Sequence, residues 1–108
     1  MRYLLIFILF LSPFSFSAEQ SHTAEIRRIY PIANGDFVLS FKTESEYCTN
    51  GSSPKHYYVS VGENSVTQEG SEKMLSVALM AASTGRPITI RYSDTTNQCF
   101  INRLLVGF

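Results

Sequence analysis

Few side chains in this sequence could carry out catalysis. His56 is the one credible general base, and no Gly-x-Ser-x-Gly nucleophile motif accompanies it. Asp36 and Asp94 are the obvious carboxylates for a glycosidase pair, but each occupies a position where a turn residue is expected. The glycines are isolated, so no phosphate-binding loop is present. We therefore predict no catalytic residues and no enzyme activity.

The two cysteines, Cys48 and Cys99, favour a structural role. Two thiols and one usable histidine fall short of the four ligands of a structural zinc site, so we predict neither a metal nor another cofactor. Disulfides persist in the compartments that exported proteins reach. We predict a Cys48–Cys99 bridge that closes a loop of about 50 residues.

Two neighbouring tyrosines are candidates for recognition. Tyr57 and Tyr58, preceded by Lys55 and His56, place rings on both faces of one strand. One ring then belongs to the core, and the other is available to stack on a sugar or a base. The alternative is that both are ordinary positions in a barrel wall.

Four arginines, Arg27, Arg28, Arg91 and Arg103, lie on predicted strands. They could line a groove for an anionic ligand, or they could be solvent-facing charges that discourage pairing between edge strands. As ligand-binding candidates we select Arg91 and Arg103 together with the two tyrosines.

The first 17 residues are typical of a secretory signal peptide. Arg2 is their only charge, an apolar run extends from residue 3 to 11, and small residues precede Ala18. We predict cleavage before Ala18, with cleavage after it as the alternative. The apolar stretch is shorter than the roughly 20 residues of a spanning helix, which disfavours an uncleaved anchor. Residues 18–108 then form one secreted or periplasmic domain without stable membrane insertion.

The charge balance excludes a polyanion-binding protein. The 108-residue chain has 9 basic and 9 acidic residues, and removal of the leader with Arg2 leaves 9 − 1 = 8 basic residues against 9 acidic ones. A nearly neutral body has no electrostatic footprint for nucleic acid.

The hydrophobic pattern predicts five strands and one helix. We expect strands at 25–32, 36–42, 55–61, 88–92 and 99–106, and a frayed segment at 18–23. Asn34-Gly35 predicts a type I′ hairpin, and the second strand alternates as a half-buried strand does. Thr67 is the expected N-cap of a helix of about 17 residues, which ends at Gly85.

This order, with one helix between strands three and four, is typical of a small five-stranded OB-like barrel, a mainly β or α+β fold. The alternative is an open antiparallel sheet with the helix lying across it.

The second half of the chain carries a resemblance. Residues 67–106 contain KMLSVAL at 73–79, STGRPITI at 83–90, and Cys99 before a closing apolar strand. This stretch resembles small secreted bacterial proteins of unknown function. More distantly it is similar to the B subunits of pentameric toxins of the subtilase-cytotoxin and cholera-toxin kinds.

The resemblance implies an OB fold, five-membered rings and binding to cell-surface glycans. The chain has no Trp, on which cholera-type sugar sites rely, so no site residue carries over. We expect an exported, non-catalytic binding or assembly module that forms a homo-oligomer and binds a glycan or a protein. The alternative is a periplasmic structural or stress-related domain without a small-molecule ligand.

Overall fold

The computed structural model describes residues 19–107, so the predicted signal peptide lies outside the described residues. Five strands and one helix follow one another along the chain. They are β1 (Glu19–Pro31), β2 (Phe37–Phe41), β3 (Tyr57–Val59), α1 (Gln68–Thr84), β4 (Pro87–Ser93) and β5 (Ile101–Val106).

All strand pairs are antiparallel, and the order across the sheet is β3-β2-β1-β4-β5. The long strand β1 serves two neighbours: residues 19–25 pair with β4, and residues 26–31 pair with β2. The two edge strands, β3 and β5, contact each other. The sheet therefore curls towards a barrel, which confirms the predicted five-stranded OB-like fold with its helix between β3 and β4.

The helix begins and ends at the residues that the sequence predicts. The Thr67 hydroxyl accepts a hydrogen bond from the Gly70 amide at 3.0 Å, and Gly85 has a left-handed φ of 71° that lets the Arg86 amide reach the Ala81 carbonyl. Ala78 and Ala81 are buried against the sheet. The helix also contacts the β1–β2 hairpin, where the Ser71 hydroxyl donates to the Gly35 carbonyl at 2.8 Å.

The core is formed by the inward faces of the strands. Phe37, Leu39 and Phe41 of β2 are buried, as predicted, and so are Ile88, Ile90 and Tyr92 of β4. The expectation that β2 is only half-buried is wrong, because Val38 and Ser40 on its other face are also buried. Val38 lies in register between Tyr30 and Tyr58, whose rings occupy that face.

Two local expectations are corrected. The segment expected to fray is paired with β4 from Glu19 onwards, because tertiary pairing satisfies the backbone of a polar sequence as well as that of an apolar one.

The hairpin at Asn34-Gly35 forms, but only Gly35 of the pair has a positive φ, 99°. Its amide bonds the Ile32 carbonyl and the Ile32 amide bonds the Asp36 carbonyl, which is a type I turn followed by a glycine bulge.

The predicted disulfide is present. Cys48 and Cys99 are bonded, lie 51 residues apart in sequence and are fully buried. The bridge joins the loop between β2 and β3 to the turn before β5, so it connects segments that no strand pairing links directly.

We expect the Cys48→Ala/Cys99→Ala double variant to lose about 4 kcal/mol of unfolding free energy, because the unfolded chain regains the freedom of a loop of about 50 residues. For a domain of this size that loss lowers Tm by more than about 10 °C. Thermal melts of the variant, and of the wild type with and without reductant, measure the effect. Identical melts would show that the bridge contributes nothing.

Candidate functional site

A β-bulge in β1 turns two consecutive arginines to the surface. Ile26 pairs with Phe41 and Arg28 pairs with Ser40, so Arg27 is an extra residue in the ladder. In a regular strand one of two adjacent side chains would point into the core. Here Arg27 and Arg28 are both exposed, and bulges commonly redirect side chains in this way at binding sites.

A groove of about 550 Å³ opens beside this bulge. One wall is the bulge, the floor is the end of β2 with the three residues after it, and the other wall is Ser53-Pro54. Its lining residues are Arg27, Arg28, Phe41, Lys42, Thr43, Glu44, Ser53 and Pro54. We call this region the cationic groove, because three cations and one carboxylate line it.

Three of the four charged residues that line the cationic groove have defined partners. Lys42 Nζ lies 2.9 Å from Glu25 Oε1, and Arg28 Nη1 donates to the Tyr30 hydroxyl at 3.0 Å. Glu44 Oε2 accepts a hydrogen bond from the Lys55 amide at 2.7 Å, which joins both ends of the loop between β2 and β3. Glu44 is therefore partly occupied by a backbone amide, and Lys42 is ion-paired with Glu25, which leaves the two guanidinium groups as the main source of positive charge in the groove.

A buried polar cluster anchors the start of that loop to the barrel. The Ser45 amide donates to the Tyr57 hydroxyl at 2.8 Å, and the Ser45 hydroxyl lies 2.6 Å from the Tyr92 hydroxyl. Lys55 Nζ donates to the Ser45 carbonyl at 3.0 Å. Burial raises the pKa of Tyr57 to about 12, against the opposing effect of its hydrogen bond from Ser45. Burial also raises the pKa of Tyr92.

Asn50 organises the far side of the loop. Its side-chain oxygen accepts hydrogen bonds from the amides of Ser52 and His56, both at 3.2 Å, and its side-chain nitrogen donates to the His56 carbonyl. Together with the disulfide, these bonds hold Ser53 and Pro54 at the wall of the cationic groove.

The structure separates the four predicted ligand-binding residues. Tyr57 is fully buried and offers no ring face to a ligand, so its selection is corrected: the alternation of β3 makes it the core member of the pair. Tyr58 is half-buried on the outer face of the barrel. Arg91 and Arg103 lie opposite each other in β4 and β5, and Arg91 Nε is 3.4 Å from Glu19 Oε1.

Arg103 belongs to a second, smaller cleft of about 290 Å³. Lys73 and the first turn of α1 form its other wall. Neither Arg91, Arg103 nor Tyr58 lines the cationic groove, so the predicted residues do not form one site.

The cationic groove is lined by Arg27 and Arg28, which are not among the four predicted ligand-binding residues. Arg27 and Arg28 interrupt the two-residue period of β1, and adjacent charged residues within an alternating strand are a signal for a bulge. Thr43 and Glu44 carry no such signal, because only the return of the loop brings them opposite Ser53 and Pro54.

The residues considered for catalysis have structural contacts. Asp36 Oδ1 accepts from the Val61 amide at 2.9 Å, and Asp94 Oδ2 accepts from the Gln20 side chain at 2.9 Å. Within residues 19–107 no group of three or more His, Cys, Asp and Glu side chains is placed to hold a metal ion. No helix in the same range is long and apolar enough to cross a membrane.

No protein-family model matches the sequence, and no curated protein matches it. Solved structures do. A cholera toxin-like B subunit from Citrobacter freundii aligns with a TM-score of 0.61 at 14% identity, over 82% of this chain and 86% of that chain. Human heat-labile enterotoxin in complex with a blood group A antigen analogue aligns with a TM-score of 0.61 at 15% identity, over 86% and 89%.

A third structure, the B subunit of human heat-labile enterotoxin from E. coli carrying a peptide with anti-HSV activity, aligns with a TM-score of 0.60 at 14% identity, over 86% of this chain and 85% of that chain. At these identities the likeness concerns the fold. It confirms the predicted resemblance to toxin B subunits at that level.

The buried tyrosine cluster predicts a loss of stability in alkali. The folded-state pKa of Tyr57, about 12, lies above the unfolded value of about 10. Its contribution is therefore complete below pH 10 and is lost as the pH rises towards 12, by about 2–3 kcal/mol in total. Urea unfolding between about pH 9 and 12 should show this fall, and Tyr57→Phe should reduce it. Equal slopes in both proteins would contradict the assignment.

Proposed function

We propose that this protein is an exported, non-catalytic binding subunit whose cationic groove holds a glycan with a terminal carboxylate-bearing sugar. The observation that carries the proposal is the β-bulge, which places two adjacent guanidinium groups at the rim of a groove that Lys42 also lines. Guanidinium groups match carboxylates in geometry and form charge-assisted hydrogen bonds with them.

The remaining lining residues suit the hydroxyl groups of a sugar. Thr43 and Ser53 contribute side chains that both donate and accept, and Glu44 accepts. A volume of about 550 Å³ lies within the range of small-ligand sites and exceeds what a single carboxylate needs. A polyhydroxylated acid uses the cations and the hydroxyls together.

Glu44 also argues against a polyphosphate or a nucleic acid as the ligand. A carboxylate in the same groove repels a dense array of negative charges, whereas a sugar acid brings one charge and several neutral donors. A protein partner remains the second candidate, and its support is the mixture of exposed apolar residues elsewhere on the surface, such as Leu79 and Leu105.

Two further observations support the binding role. One structural neighbour was solved with a blood group A antigen analogue, so a fold of this kind can present a ligand site. The buried disulfide fits an oxidising compartment, which agrees with the predicted leader and with a secreted or periplasmic location.

Substitution of Arg27 tests the ligand class. On an array of immobilised glycans in matched pairs, with and without a terminal sialic acid, we expect the wild type to bind the acidic members. Arg27→Ala should weaken binding about 10- to 100-fold, because it removes a charge-assisted hydrogen bond. Binding should also weaken as the salt concentration rises.

Arg103→Ala is the matched control, since it removes one exposed arginine from the other cleft. Loss of binding in this variant and not in Arg27→Ala would move the site away from the cationic groove. Preference for sulfated over carboxylated glycans would correct the sugar class, and the absence of any acidic preference would refute the proposal.

We also propose that the protein assembles with copies of itself. Two structural neighbours are described as B subunits, and the sequence resembles the B subunits of pentameric toxins. Head-to-tail contacts between identical subunits can close into a ring, and for a five-membered ring light scattering of the mature protein should give a mass about five times that of the monomer. A monomeric mass at micromolar concentration would contradict this part of the proposal.

A further inference from the structure

Both walls of the cationic groove continue into a set of aromatic rings. Two residues beyond Arg28, on the same face of β1, lies Tyr30, and two residues beyond Pro54 lies His56. The Arg28 guanidinium donates to the Tyr30 hydroxyl at 3.0 Å, so the groove and the rings are in direct contact.

The rings form a continuous surface, which we call the aromatic patch: Tyr30, His56, Tyr58 and Phe100. The centroids of Tyr30 and His56 are 5.5 Å apart, those of His56 and Tyr58 are 6.1 Å apart, and those of Tyr58 and Phe100 are 6.3 Å apart. Each ring meets the next edge to face. Tyr30 is the most open member, with 36% of its surface exposed, and the other three are half-buried.

The contact between Arg28 and Tyr30 makes the two regions a single recognition surface. A carboxylate held by Arg27 and Arg28 brings the adjoining part of a ligand next to Tyr30, because the guanidinium of Arg28 donates to the hydroxyl of that residue. A pyranose ring carries C–H groups on one face, and such a face packs on an aromatic ring while its hydroxyls remain in water.

We infer that the Tyr30 and His56 end of the aromatic patch is a second subsite, which receives the neutral sugar linked to the acidic sugar in the cationic groove. This inference rests on the proposed function, and it specifies the ligand as at least a disaccharide with an acidic terminal residue and a neutral neighbour. Tyr30 contacts the neutral sugar, and Arg28 is shared by both subsites.

Comparison of two probes tests the subsite with the mature protein. The first is the methyl glycoside of sialic acid, and the second is the sialyl-galactose disaccharide, each titrated while amide chemical shifts are followed by NMR. We expect the disaccharide to bind about tenfold more tightly, which corresponds to about 1.4 kcal/mol. The amides of β1 near Tyr30 and of β3 near His56 should shift with the disaccharide only.

Three variants separate stacking from the positioning of Arg28. Tyr30→Ala should abolish the tenfold advantage of the disaccharide, and its effect on the Kd of the monosaccharide should equal that of Tyr30→Phe, because both variants lack the hydroxyl that accepts from Arg28. Tyr30→Phe keeps the ring but lacks the hydroxyl that accepts from Arg28, and it should retain the advantage. His56→Ala should reduce the advantage in part, because His56 forms the edge against which Tyr30 packs.

The outcomes distinguish this inference from the proposed function. Equal affinities for the two probes in the wild type, or an equal loss for both probes in Tyr30→Ala, would overturn the subsite and leave the acidic site standing. Binding of neither probe would refute the choice of ligand, and the subsite with it. Capture of a protein partner that Tyr30→Ala abolishes, without disaccharide binding, would reassign the aromatic patch to a protein contact.

Discussion

The whole architecture depends on one strand having two partners. β1 pairs with β4 through its first half and with β2 through its second half, and the ladder changes over at the bulge around Arg27. A strand that changes neighbours must bend, and the extra residue of a bulge increases the local twist. The bend lets the edge strands β3 and β5 approach each other, and the same extra residue turns both arginines outward. Barrel curvature and the positive rim of the cationic groove therefore have a common backbone origin.

The long loop between β2 and β3 becomes a rigid wall through polar contacts as well as through its disulfide. Ser45 bonds two buried tyrosines from different strands, Tyr57 and Tyr92. Each phenol contributes a large apolar ring to the core and one hydroxyl at its margin, where it satisfies a loop amide or hydroxyl that burial would otherwise leave unpaired. These contacts tie a loop without regular secondary structure to the barrel, and they set the position of its residues beside the cationic groove.

The distribution of charged and aromatic residues matches the division between groove and patch. Arg91 of β4 is ion-paired with Glu19, and Arg103 of β5 lines a separate cleft. Neither arginine therefore contributes positive charge to the cationic groove. The rings of Tyr30 in β1 and Tyr58 next to it across the short strand β2 flank Val38, which is buried. A surface with cations at one end and rings at the other suits a ligand whose own charge and apolar face lie on adjacent units.

Local rules in the sequence determined the helix from Thr67 to Gly85, the inward alternation of β2 and β4, and the hairpin at Gly35. Helix capping, two-residue periodicity and turn formation depend on residues that are near neighbours in the chain. Composition determined the pairing of Cys48 with Cys99, because the chain has only two thiols. Tertiary structure alone decided that the polar residues from Glu19 form a strand, that Tyr57 is fully buried while Tyr58 is half-buried, and that Thr43 and Glu44 line one groove with Ser53. Those outcomes depend on which distant segment supplies the hydrogen bonds and the covering surface. The sequence of one strand does not specify which strand pairs with it. The cationic groove therefore forms only when the loop between β2 and β3 folds back beside the bulge of β1.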